Sequence, residues 1–235
     1  MRIVECRSPN HDARPEGAPI DILVLHYTGM RTAEEALARL CDPVARVSAH
    51  YTIDRDGRIF HHVPEERRAW HAGVSWWAGE RDVNARSIGV EIVNPGHEFG
   101  YVPFTAAQIG ALIDLSRGIF DRHAIPPHRV VGHSDVAPPR KTDPGELFPW
   151  KELAEYGIGV WPGQAPLAGE AASARVPEML AQFGYGVPPT VDWSLQSVIT
   201  AFQRRFRPDK IDGIADPETV ARLASLVTHG MLAAP

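Results

Sequence analysis

Hydrophobic and polar positions fall into short apolar runs interleaved with helical stripes along the first 160 residues. The β-branched run Ile20–Leu25 predicts a buried strand ending near His26, after a turn-rich lead-in from Ser8 to Pro19. Thr32-Ala33-Glu34-Glu35 has the form of a capping box, and Ala36–Leu40 continues it as a helix. Ser48–Ile53 and Arg58–Val63 flank Asp54-Arg55-Asp56-Gly57, which predicts a β-hairpin with Gly57 at positive φ. Ser87–Val93 reads as another strand, closed by Asn94-Pro95-Gly96. Thr105-Ala106-Ala107-Gln108 opens a second helix to about Arg122, with Ile109, Leu112, Ile113 and Ile119 on its buried side. Val130–Gly132 predicts a short strand ending at His133, and the proline-rich segment Asp135–Pro149 predicts a loop. Strands alternating with helices point to a mixed α/β or α+β layer structure over residues 1–160.

The pattern then changes. Residues 161–175 are rich in Pro, Gly and Ala and lack periodicity, as a linker does. Val176–Phe183, Ser194–Phe206 and Asp216–Leu226 carry helical spacing, so residues 176–235 form a small domain of about three helices. A core that small is expected to lean on the first domain.

Charge and composition narrow the chemistry. The net charge of −5 gives no general attraction to nucleic acid. No apolar run reaches the roughly 18 residues of a membrane span, and the start of the chain has no signal-peptide pattern. Cys6 and Cys41, far apart and without a CxxC, read as buried thiols rather than a disulfide framework. Eleven histidines invite a search for a metal site or acid–base chemistry. Gly132-His133-Ser134 lacks the second glycine of a nucleophile elbow, and neither a Walker A loop nor HExxH is present. His26 and His133 each end a predicted strand, and Asp143 follows His133 by ten residues. Two imidazoles and a carboxylate can give zinc three ligands and leave a fourth position for water. Spacing alone equally admits two hydrogen-bonded histidines and a turn aspartate. Glu91 is more telling, because alternation in SIGVEIV sets it in an apolar strand, where a carboxylate is either a general-base candidate or an edge residue facing solvent. Lys141 shares Asp143's side of an extended loop and could steady an oxyanion, or be an ordinary solvated lysine. Trp70-His71-Ala72-Gly73 and Trp76-Trp77 form an aromatic loop that suits a sugar or peptide ligand, or fills a core.

Five segments in order, LVLHYTG (23–29), VSAHYTIDRDG (47–57), RAWHAG (68–73), SIGVEIVNPG (87–96) and VVGHSDVAPPRKTDPG (130–145), resemble the zinc N-acetylmuramoyl-L-alanine amidases of the AmpD type. These are related to peptidoglycan recognition proteins and T7-like phage lysozymes. Ala201–Phe206 and Ile211–Thr219 are similar to the three-helix peptidoglycan-binding module. The resemblance implies a central mixed β-sheet flanked by helices, followed by a small helical domain. It implies zinc on His26, His133 and Asp143, with Glu91 activating water and Lys141 polarising the amide. Trp70, His71, Ala72 and Tyr27 would then line the substrate, and His50 would stand behind the metal.

The activity so implied is hydrolysis of the amide between N-acetylmuramic acid, or its 1,6-anhydro form, and L-alanine of the peptidoglycan stem peptide, in cell-wall recycling or turnover. A non-catalytic peptidoglycan-binding protein and a zinc peptidase acting within the stem peptide are the alternatives. The partner expected is peptidoglycan or a muropeptide, with no obligatory protein partner. The compartment expected is the cytoplasm, with the periplasm or cell envelope as the alternative.

Overall fold

The computed structural model describes residues 3–164, 166–168 and 170–230; the rest of the expected linker and C-terminal domain, and the first two residues, lie outside the described residues. The first domain contains strands β1 (Ile3–Glu5), β2 (His11–Ala13) and β3 (Ile22–Tyr27), helix α1 (Ala33–Cys41), and strands β4 (Tyr51–Ile53), β5 (Ile59–His61) and β6 (Arg67–Ala69). The one-turn helix α2 (Val83–Arg86) leads into β7 (Ser87–Ile92), followed by α3 (Gly96–Phe99), the long α4 (Ala106–Arg122), β8 (Val130–Gly132), α5 (His133–Val136) and α6 (Trp150–Glu155). Helices α7 (Glu170–Ser173), α8 (Val176–Phe183), α9 (Leu195–Phe206) and α10 (Pro217–Gly230) complete the chain.

Six strands form one mixed sheet in the order β1-β5-β4-β7-β3-β8, and β2 pairs with β6 in a separate ribbon. Strands β4, β7, β3 and β8 run parallel, whereas β5 is antiparallel to β4 across the expected hairpin. The expected mixed sheet flanked by helices is therefore present. Alternation decides what each face meets. Leu23 and Leu25 of β3 and Ile88, Val90 and Ile92 of β7 share one core with Ile109, Leu112, Ile113 and Ile119 of α4. On the opposite face, Ile22, Val24 and Val131 join a core with Trp77, Leu180, Phe183, Phe202, Phe206 and Leu223. The C-terminal helices thus cover the second face of the sheet, and the small domain completes its core against the larger one.

Some local expectations shift. Thr32 accepts the Glu35 N–H at 3.2 Å, but the Glu35 carboxylate takes the Arg31 N–H, so only Thr105 makes both halves of a capping box. The lead-in holds β2, a three-residue polar strand paired with β6 and pinned by Arg68 between Asp12 and Asp82. Asp135 and Val136, placed in a loop from their sequence, belong to the single turn of α5. Within the linker, Glu170–Ser173 forms the turn of α7.

Candidate metal centre and active site

Strand register brings the candidate residues together. His26 is the direct cross-strand partner of Glu91, so both side chains leave the sheet on the same face near the carboxyl ends of β3 and β7. Gly132 pairs with Leu25, which sets His133 level with His26 on the next strand. A Cβ on Gly132 would lie 2.7 Å from Pro144 Cδ, so only glycine lets the loop carrying Asp143 close over the strand end. The Ser134 N–H donates to Asp143 O at 2.8 Å and ties the backbones of the two segments.

The three expected ligands then meet in a triangle. His26 Nδ1 lies 2.9 Å from His133 Nδ1, and each is 3.0 Å from Asp143 Oδ2. The outer nitrogens are already used. His133 Nε2 donates to Ala72 O at 3.1 Å, and His26 Nε2 faces His71 Nδ1 at 3.0 Å, with His71 Nε2 in turn 3.1 Å from Ser87 Oγ. A proton on His133 Nε2 toward the Ala72 carbonyl leaves its Nδ1 lone pair facing the carboxylate, and the Nε2–H tautomer of His26 does the same. Two imidazole nitrogens and a carboxylate oxygen within 3.0 Å of one another are an arrangement that a cation satisfies, so these residues fit a metal. Burial, reinforced by His133, pushes the His26 pKa down to about 4 and keeps it in the neutral form that ligation requires. Burial alone would raise Asp143, but the two imidazoles outweigh it and hold the carboxyl well below its usual range.

Glu91 lies beside this triangle, half-buried, with Oε2 out of contact with water and without a hydrogen-bond partner. Burial first, and then the Asp143 charge, push its pKa well above the usual carboxylate value, against the pull of Lys141. Glu91, Lys141, Trp70, His71 and Tyr27 line a groove of about 360 Å³ together with His133 and Asp143. Tyr27 is steadied by Thr142 Oγ1 at 2.9 Å and His97 Nδ1 at 3.0 Å.

Two residues expected beside the substrate sit deeper. Ala72 is fully buried and offers its carbonyl to His133, and His71, itself buried, backs His26 as well as lining the groove. His50 is buried behind them, accepting the Gly89 N–H at 2.9 Å, and burial together with the Arg14 charge pushes its pKa down to about 3. Of the aromatic pair, Trp77 is a core residue against Phe183 and Tyr185.

A second group of potential ligands among the described residues, Cys6, Cys41 and His62, has different chemistry. His62 Nδ1 lies 2.6 Å from Cys6 O, which claims its proton, and burial pushes the Cys41 thiol up to about 12. The two thiols form no disulfide; their sulfurs lie 3.4 Å apart, within hydrogen-bond reach, and are only half-buried. Sequence reasoning missed Asp135, Tyr185 and Arg205, which meet in a buried cluster beside His133. An aspartate between Ser134 and Val136 was the available signal.

Comparison with known proteins gives the family. The N-acetylmuramoyl-L-alanine amidase family model matches residues 16–146, and the peptidoglycan binding domain model matches residues 174–223. The N-acetylmuramoyl-L-alanine amidase AmiD of Escherichia coli (strain K12) is 42% identical over 230 residues, covering 88% of this chain and 82% of its own. The 1,6-anhydro-N-acetylmuramyl-L-alanine amidase AmpD of the same organism is 37% identical over 160 residues, 61% of this chain and 85% of its own. A solved structure of AmiD with anhydro-N-acetylmuramic acid-L-Ala-D-γ-Glu-L-Lys superposes with a TM-score of 0.80 at 40% identity, covering 92% of each chain. AmpDh3 of Pseudomonas aeruginosa, solved with anhydromuramic pentapeptide, gives 0.80 at 38% identity over 92% of this chain and 94% of its own. A family model over residues 16–146, a relative 42% identical across 88% of the chain and a fold shared over 92% of it place the chain in the N-acetylmuramoyl-L-alanine amidase family, as an enzyme of that activity.

Proposed function

We propose that this amidase works with a zinc ion held by His26 Nδ1, His133 Nδ1 and Asp143 Oδ2, and that Glu91 and Lys141 carry its proton and charge chemistry. The observation that supports this most directly is the triangle of three buried acceptor atoms. Two imidazoles and one carboxylate favour zinc over magnesium or calcium, which prefer all-oxygen sets. Zinc supplies Lewis acidity there, toward water and toward the scissile carbonyl.

The chain's own groups do the rest. Glu91 takes the proton of the attacking water and returns it to the leaving nitrogen of L-alanine, since an amide expels a neutral amine far more readily than an anion. Its raised pKa suits both halves of that task. Lys141 donates to the oxygen that turns anionic as the carbonyl becomes tetrahedral. Trp70 offers a ring face and Tyr27 a hydroxyl to the sugar and peptide on either side of the bond.

The substrate class is that held by AmiD in its complex, a muramic acid with its stem peptide, taken either as an anhydro fragment or within the polymer. No helix among the described residues is long and apolar enough to cross a membrane. Mass spectrometry of products from an anhydro-muropeptide, with a chelator-treated control, tests the reading. Free stem peptide and unpeptidylated sugar, lost on chelation and regained with zinc, are expected; cleavage inside the peptide, or turnover indifferent to chelation, would overturn it. Intact sacculi in parallel separate recycling of soluble fragments in the cytoplasm from work on the polymer at the envelope. Glu91→Gln should keep its zinc and lose roughly 10²–10⁴-fold in turnover, whereas His133→Ala should lose both.

A further inference from the structure

Asp135 lies two residues beyond His133 in α5, is fully buried, and has no part in the chemistry above. Its Oδ2 accepts the Gly132 N–H at 2.8 Å and Arg205 Nη1 at 2.8 Å, and its Oδ1 accepts the Tyr185 hydroxyl at 2.6 Å. Arg205 Nη2 donates to Val130 O at 3.0 Å, and the guanidinium lies over the Trp150 ring, 4.1 Å from its centroid. Arg205 belongs to α9 and Tyr185 follows α8, so both donors come from the C-terminal module. Their hydrogen bonds go to Val130 and Asp135, and Asp135 in turn holds Gly132, so all three lie within three residues of the ligand candidate His133.

A carboxylate buried this completely is tolerated only while its donors remain. Without them Asp135 would turn toward water and take the β8–α5 corner with it. That corner sets the backbone of His133, while the Ala72 carbonyl sets only its ring. The Ser134 N–H passes the constraint on to Asp143.

We infer that Arg205 and Tyr185 are positioning residues for the metal centre, acting through Asp135, so that the C-terminal module is a structural part of the hydrolytic site. This rests on the metal reading above. The test uses the full chain and the variants Arg205→Met and Tyr185→Phe. Zinc affinity is read by competition with a colorimetric chelator, beside kcat, KM and the thermal midpoint.

Both variants should bind zinc roughly tenfold more weakly or worse, the order expected when an outer support of a metal ligand is removed. At saturating zinc kcat should fall, with KM within about twofold because Trp70 and Tyr27 are untouched. Adding Asp135→Asn to Arg205→Met should recover part of the zinc affinity, since the amide oxygen can still accept the Gly132 N–H and no charge is stranded. If Arg205→Met does not fold, Tyr185→Phe decides. Variants that lose thermal stability but bind zinc and turn over as wild type does would reduce the cluster to a domain staple and overturn the inference. A wild-type chain that binds no zinc would sink the metal reading, and this inference with it.

Discussion

Lys141 and Glu91 sit on one groove with opposite burdens, since Lys141 draws the Glu91 pKa down while burial and Asp143 drive it up. Lys141→Met should therefore lower kcat by roughly 10²–10³-fold, the loss seen when one oxyanion donor is removed, with zinc content and KM near wild type; a KM effect alone would make Lys141 a binding residue instead. Away from the groove, three buried groups set the response to acid. Burial holds His50 to about 3 and His62 to about 4. Glu65 is lowered to about 2, because hydrogen bonds from Arg122, Tyr51 and His123 outweigh its burial. An unfolded histidine takes its proton near pH 6.5, so stability held by His50 and His62 is complete above that value and drains as pH falls toward 4 and 3. The Glu65 contribution is complete above 4.5 and lost toward 2, on the order of 2 kcal/mol. Urea midpoints should fall from pH 7 to 4 and more steeply below 4.5, with Glu65→Gln flattening only the lower limb. Glu91 was legible in the sequence, because a carboxylate alternating with Ile88, Val90 and Ile92 has to be accounted for. The support of His26 by His71 was not, since a histidine beside Trp70 presents the same local pattern whether it meets substrate or another ring.

Register, a property of elements, does most of the assembly. A slip of one residue between β3 and β7 would separate His26 from Glu91 and turn one of them to the opposite face. Gly89 guards that arrangement from behind, because a Cβ there would stand 2.5 Å from the His71 ring. Gly89→Ala should displace His71, loosen His26, and weaken zinc binding while leaving the sheet folded, as chelator competition and circular dichroism would report; unchanged zinc affinity would mean that His71 has room to move. Thr105→Ala should cost about 1 kcal/mol by removing one half of the complete capping box. The long or apolar elements were readable from period alone, as β3, β7 and α4 show. Strands β2 and β6 were not, for they are three-residue polar edges that exist through pairing with each other and through Arg68.

For the molecule as a whole, the sequence disclosed two parts and that the smaller would lean on the larger, but not the residues that join them. The second domain was visible in its helical stripes, while its docking depends on Asp135 and Arg205, 70 residues apart, which share no local pattern. Ile22 and Val24 of the sheet lie in the same core as Leu180, Phe202 and Leu223 of the module. The full chain should accordingly unfold in a single calorimetric transition, and Arg205→Met, which strands a buried carboxylate, should destabilise it by about 3–5 kcal/mol; two resolved transitions would mean the parts fold independently. A module fastened in this way cannot swing as one on a free tether does. Whatever the module holds therefore stands at one set reach from the groove, a length written into the fold rather than into a tether.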